Sequence, residues 1–332
     1  MCLHEDLRQL LHLNKCPIGV VSWSWTNAGF FSVFNTYLLA YGLADYLKTK
    51  FVLIGKDKCY FDAILTIENN TYYYPQYKHD IFGESCKSQL MNTLDLSLRL
   101  KSFVMIPSVT FDIAFNIKNK YLLNSDTTKI LTYLNSLFNR LWNLHPDIVK
   151  KIKRNKNSIF QNHISKPYHA IHVRRGDKLI FEAKSVPIRN YLKKLNFEQV
   201  KLLYVASDDY RSLLEVKSEA RNLGLNKINI LSQIGPEKNG YNQNDFNRMG
   251  EVDKKRCMVN LLTDFEILRG ANTFVGSFSS NVSQIVHISR SGNCSFSVDN
   301  SFNPKLDPYS EVRKRRRFSR YISSLIGLGY KA

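Results

Sequence analysis

Residues Ile171 to Ala183 read Ile-His-Val-Arg-Arg-Gly-Asp-Lys-Leu-Ile-Phe-Glu-Ala, and the fold is decided in this stretch. Tyr168, Ala170, Ile171 and Val173 form an apolar, partly β-branched run that predicts a buried strand, which Gly176-Asp177 ends. The strand therefore finishes in two arginines. Ligands of open α/β sheets collect at the carboxyl ends of strands, and guanidinium forks there suit a phosphate because each can donate two parallel hydrogen bonds. The same Arg174, Arg175, Asp177 and Lys178 also fit a solvated, self-paired charge cluster.

Downstream the alternation is regular. A strand at Leu202–Ala206 runs through Ser207-Asp208-Asp209 into a helix carrying Leu213, Leu214 and Val216, and a strand at Ile228–Leu231 opens a polar loop from Gln233 to Gly250. A helix from Lys254 to Leu268 precedes a strand at Thr273–Val275, and Gly276-Ser277-Phe278-Ser279-Ser280 starts a helix at Asn281–Ile288. Four βα units in order predict a parallel, Rossmann-like sheet. The glycine-led turn brings hydroxyls and amides to the positive end of a helix, which makes an anion site or an ordinary N-cap. Asp208 and Asp209 read as orienting groups or a helix cap, with no further carboxylate or His nearby to make them metal ligands. Asp264 shares a helix face with Cys257, Leu261 and Leu268, so it needs a partner. That partner is a backbone amide or a base with adjacent N–H donors: guanine offers N1–H and N2–H together, uracil only N3–H between two carbonyls.

Upstream, a strand at Ile18–Trp23, a turn containing Asn27 and Gly29, a helix from about Phe31 to Lys48 and a strand at Phe51–Ile54 predict a βαβ opening. Its turn lacks a dinucleotide fingerprint but sits where a first βα loop lines a cleft; a tight helix start is the alternative. Tyrosines gather between Cys59 and Lys78, as sugar-stacking faces or as strand and core material. Helices are expected at Ser88–Leu100 and Thr127–Leu141, the second with a Leu131, Leu134, Leu137, Leu141 stripe. After Pro146, the basic, Asn-rich segment from Lys150 to Asn162 reads as a linker, dividing the chain into 1–160 and 161–332, the latter with a basic C-terminal tail.

The chain has 332 residues, room for two medium cores. Its net charge of +19 admits nucleic acid, an anionic surface or an anionic substrate. The densest basic runs, Lys150–Arg154 and Arg313–Arg317, lack the interleaved aromatics of a single-strand stacking platform, so nucleic-acid binding is not expected as the main function. Six scattered cysteines without a Cys-x-x-Cys or Cys/His cluster predict reduced thiols and no metal site. No apolar run reaches 18 residues and no leader pattern is evident, so a cytoplasmic chain is expected.

Taken together, His172-Val-Arg-Arg-Gly-Asp-Lys178, Ser207-Asp-Asp209 and Asp264 followed by Ser277-Phe-Ser-Ser280 resemble the three-motif signature of the α1,6-fucosyltransferases and their nodulation and protein O-fucosyltransferase relatives. The resemblance implies a GT-B fold, two Rossmann-like domains facing a central cleft, and an inverting transfer of L-fucose from GDP-fucose to a glycan hydroxyl without metal or other cofactor. It implies Arg174 as the clamp on the β-phosphate and fucose, with Arg175 and Lys178 in support. His172 and Asp264 would hold guanine, Asp208 and Asp209 would sit near the ribose or order the motif, and Ser279, Ser280 and Asn281 would close on the diphosphate. Glu182 falls where the family places the base for the acceptor hydroxyl. Asn281 stands where the family has glutamine, and Gly176 where it has threonine. A rival inside the class uses another donor such as UDP-xylose, and one outside it is a non-catalytic sugar- or anion-binding protein.

Overall fold

The computed structural model describes residues 20–24, 29–47, 50–55, 64–65, 71–75, 105–106, 127–163, 166–175, 185–198 and 200–299. Asn27, Lys178, Glu182, the helices expected at Glu5–Leu13 and Ser88–Leu100, and the basic tail lie outside the described residues.

The first part of the chain folds as β1 (Val20–Ser24), α1 (Phe30–Leu47), β2 (Lys50–Gly55), β3 (Thr71–Pro75) and β4 (Met105–Ile106). Its strands pair in parallel in the order β3-β2-β1-β4, and α1 is the crossover of the expected βαβ unit. Then come α2 (Thr127–Leu141), whose leucine stripe is buried as expected, and α3 (Pro146–Phe160), closed by a 3-10 turn at Gln161–His163.

The expected linker is therefore wrong: most of Lys150 to Asn162 is helix. Pro146 opens α3 instead of interrupting, because the first helical position has no N–H bond to lose. Ile148, Ile152 and Phe160 are buried, while Lys150, Lys151, Lys153 and Arg154 cover the solvent face. That face dominated the composition and hid a sparse apolar stripe.

The second part continues as β5 (His169–Val173), α4 (Ile188–Leu192), β6 (Leu202–Ser207), α5 (Tyr210–Asn222), β7 (Asn229–Leu231), α6 (Gln243–Arg248), α7 (Glu251–Arg269), β8 (Thr273–Gly276), α8 (Asn281–Ser289) and β9 (Ser295–Ser297). Five parallel strands lie in the order β7-β6-β5-β8-β9, so the arginine-tipped strand is central. Two elements of this second part were not foreseen. Strand β9 has three residues, too few to show a pattern, and α6 has one buried side chain, Phe246, within an otherwise polar loop.

Alternation along β5 and β6 sends side chains to two layers. Ile171, Val173, Leu203 and Val205 pack with Tyr191, Leu192, Leu213 and Val216 on one face. Ala170, Leu202, Tyr204, Ala206 and Phe274 face a second core that includes residues of α3, α7 and α8 and extends into α1 and α2. There Phe31 lies 4.8 Å from Phe265 and Trp142 4.7 Å from Phe265, ring centre to ring centre, and Trp142 Nε1 donates to Glu266 at 2.7 Å. Helices of the first part thus share an aromatic core with helices of the second. In α7 the buried positions include Met258, Leu262, Phe265 and Leu268; Asp264, like Cys257 and Leu261, keeps part of its residue surface exposed, while its carboxyl is desolvated and bonded to Tyr204.

Candidate active site

Because β5 lies between β6 and β8, the segments leaving three adjacent strands meet at one sheet edge: Arg174-Arg175, Ser207-Asp208-Asp209 and the Gly276–Ser280 turn. Arg174 is ion-paired with Asp208, and both side chains are mostly buried, at 17% and 14% exposure. The other oxygen of Asp208 accepts from the Arg175 amide at 2.8 Å. Asp208 is thus an orienting group. Asp209 takes the other role left open by the sequence: it caps α5, accepting from the Arg211 amide at 2.9 Å. The Arg211 guanidinium, hydrogen-bonded to the same carboxylate, holds it below the usual carboxylate range. Arg175 turns from Arg174 toward α5, donating to Glu215 at 2.9 Å and to Ser185 at 2.7 Å.

His172 is buried, and its Nδ1 is 2.8 Å from Ser283 Oγ on α8. It pairs in register with Gly276, and the glycine explains how helix and strand come so close. A Cβ at Gly276 would lie 2.5 Å from Ser283 Oγ and 2.6 Å from Phe274 Cζ. The missing side chain is therefore a packing requirement at the strand end.

The turn that follows does bind an anion, and the anion is internal. The amides of Phe278 and Ser279 donate to Asp299 at 2.7 and 3.2 Å, and the hydroxyl of Ser277 donates to the same carboxylate. Ser280 is the N-cap of α8 but makes no capping bond with its hydroxyl. Asn281 Oδ1 accepts from Asn35 on α1 at 3.0 Å, and Asn35 also donates to Gln284 at 3.2 Å. Gln284 in turn donates to the Phe278 carbonyl at 2.7 Å, so the turn is tied to α1.

Asp264 finds its partner inside the protein: the Tyr204 hydroxyl donates to it from mid-strand β6. Desolvation raises the Asp264 carboxyl from 3.8 to about 7, against the lowering effect of the hydrogen bonds from Tyr204 and Gln233. Burial, with Asp264 second, pushes the Tyr204 phenol well above its ordinary range.

Gly29, from the first βα turn, lies against the start of α6: a Cβ there would be 3.2 Å from Gln243 Oε1. Tyr241 stands beside it, its ring centre 5.2 Å from the Arg174 guanidinium carbon. The structure thus brings Arg174 together with Asp208 and Tyr241, ties Asn281 to α1, and joins His172 and Asp264 to Ser283 and Tyr204 in the core. Sequence reading missed Tyr241, Asp299, Ser283, Tyr204 and Asn35. Asn35, a polar residue amid the apolar positions of α1, had a visible signal; the others meet partners 20 to 111 positions distant along the chain. Among the described residues, no group of three His, Cys, Asp or Glu is placed to hold a metal ion, and no helix is long and apolar enough to cross a membrane.

No family model matches the chain, and no curated protein matches it in sequence. Among solved structures it resembles the fucosyltransferase NodZ from Bradyrhizobium, with a TM-score of 0.43 and 11% identity over 82% of this chain and 91% of that one. It also resembles POFUT1 in complex with GDP, at 0.46 and 14% over 85% and 98%. A variant of Arabidopsis thaliana FUT1 in complex with GDP is similar at 0.49 and 11% over 91% and 76%. Likeness at this level carries no argument of its own, and what the chain does has to follow from its residues.

Proposed function

We propose that the chain is a glycosyltransferase of GT-B architecture that transfers L-fucose from GDP-fucose to a glycan hydroxyl, inverting the anomeric centre in one in-line displacement. The observation that carries this reading is the edge of the five-stranded sheet, where Arg174, held by Asp208, stands beside the glycine-led turn before α8. Two cationic or amide donors at adjacent strand ends suit a diphosphate leaving group.

In the proposed reaction GDP departs with growing negative charge. Arg174, Lys178 and the positive end of α8 at Asn281 would stabilise that charge without a metal ion. Asp299 occupies the Phe278 and Ser279 amides and the Ser277 carbonyl takes the Ser280 amide at 3.0 Å, so the diphosphate would use the Ser280 hydroxyl and the Asn281 end of the turn. Arg175 supports by bracing the loop against Glu215. Glu182 would take the acceptor proton as it attacks. Support for Lys178 and Glu182 is the sequence motif alone.

One observation favours a second donor. Asp264 already accepts from Tyr204, and burial favours its protonated form, so both oxygens are not offered to guanine in this state. The same scaffold with UDP-xylose or a related donor is the alternative. Thermal-shift measurement across a nucleotide and nucleotide-sugar panel separates them, because a ligand that binds the folded state raises the melting point by mass action. A shift with GDP and GDP-fucose supports the first reading, one with UDP alone the second, and no shift with any nucleotide contradicts both. Glu182→Gln should keep donor binding and lose transfer; retained transfer removes Glu182 from the mechanism.

A further inference from the structure

The loop between β7 and α6 is laid along the strand end of β6. Tyr210 N donates to the Lys238 carbonyl at 2.8 Å, Gly240 N donates to the Asp208 carbonyl at 3.0 Å, and Asp209 and Asn239 form an antiparallel bridge. Gly240 has φ of 95°, a backbone that a residue with a Cβ rarely adopts. The chain turns there and delivers the next side chain, Tyr241, over Arg174. The Tyr241 hydroxyl donates to Gln243 Oε1 at 2.8 Å, and the other end of that amide donates to Asn247 Oδ1 at 2.9 Å. The loop is therefore fastened on both sides of the tyrosine.

We propose that Tyr241 is a positioning residue for Arg174: Asp208 fixes one edge of the guanidinium, and the tyrosine ring fixes its plane. A guanidinium with edge and face both held loses less freedom when it closes on a phosphate. The ring also attracts the cation through its negative face. This deepens the nucleotide-sugar reading and rests on Arg174 as the phosphate clamp.

The test uses the full chain with arginine side chains labelled for NMR. The Nε–Hε signal of Arg174, assigned by its loss in Arg174→Lys, is followed in native protein, Tyr241→Phe and Tyr241→Leu, with GDP titrated into each. Tyr241→Phe keeps the ring and should leave the signal and GDP affinity near native. Tyr241→Leu should move and sharpen the signal and weaken GDP by about three- to tenfold, the worth of such a stack. If Tyr241→Leu lowers the melting point sharply, Tyr241→Gln, planar but without an aromatic face, takes its place. An unmoved signal in the ring-less variant overturns the proposal. Equal losses in the Phe and Leu variants overturn it too, because they trace the effect to the hydroxyl on Gln243. A native protein that ignores GDP, while the signal still moves in Tyr241→Leu, overturns the nucleotide reading and upholds the stack.

Discussion

Replacing Asp264 with asparagine should change how stability depends on pH. In the folded protein its carboxyl titrates at about 7, against 3.8 ordinarily, because burial disfavours the charged form more than the hydrogen bonds from Tyr204 and Gln233 restore it. Between about pH 4 and pH 7 the folded chain keeps a proton that the unfolded chain releases, so this group makes stability fall as pH rises. A pKa difference of about three, at roughly 1.36 kcal/mol each, puts the ceiling near 4 kcal/mol. Below pH 4 both states are protonated and above pH 7 both are ionised, so the slope belongs to that window alone. The asparagine amide of the variant has nothing to titrate. Urea unfolding at half-unit pH steps should therefore show native stability falling relative to Asp264→Asn between pH 4 and 7, then running parallel. A difference independent of pH would refute the reasoning: the carboxyl would then be ionised in the fold, and Tyr204 would be a full compensation for its burial.

The remaining expectations follow from close contacts. Gly276→Ala places a Cβ within 2.6 Å of both Ser283 Oγ and Phe274 Cζ, so it should cost about 1–3 kcal/mol by overpacking and disturb the His172–Ser283 bond, read by urea midpoint and the His172 ring signal. Asp299→Ala strips a carboxylate from two turn amides and should cost about 1–3 kcal/mol, read by thermal melting, with Asp299→Asn losing less. Phe265→Ala opens a cavity in the shared aromatic core and should cost about 3–5 kcal/mol; a loss under 1 kcal/mol would mean that the two parts of the chain do not depend on that contact. Arg174→Ala should weaken GDP by tenfold or more, and equal affinity would contradict the clamp.

Strands buried on both faces were the most legible part of the sequence, because β5, β6 and β8 are mostly apolar runs with a Gly or Asp at or just beyond their ends. The crossover helix α1 and the stripe of α2 were legible for the same reason: periodicity survives wherever apolar side chains form a whole face. Where only a few positions are buried it does not. Helix α3 shows the sequence of a linker because its buried side consists of residues such as Ile148, Ile152 and Phe160 beneath a row of lysines. The site was legible at the level of which loops carry it, since polar residues at strand ends declare themselves. Their partners were not. Nothing local to Ser277 announces Asp299, and nothing local to Asp264 announces Tyr204, because each pair is made by tertiary packing. Asp208 and Asp209 look identical in the sequence, and only the backbone path sends one to Arg174 and the other to the start of α5.

The central claim is that the edge formed by Arg174, Asp208 and the turn before α8 holds a guanosine diphosphate sugar. Calorimetric titration of the full chain with GDP, and separately with UDP, tests it most directly. GDP should bind saturably and more tightly than UDP, and Arg174→Ala should weaken it tenfold or more. Equal or tighter UDP binding would contradict the donor, and GDP binding unchanged in Arg174→Ala would contradict the site.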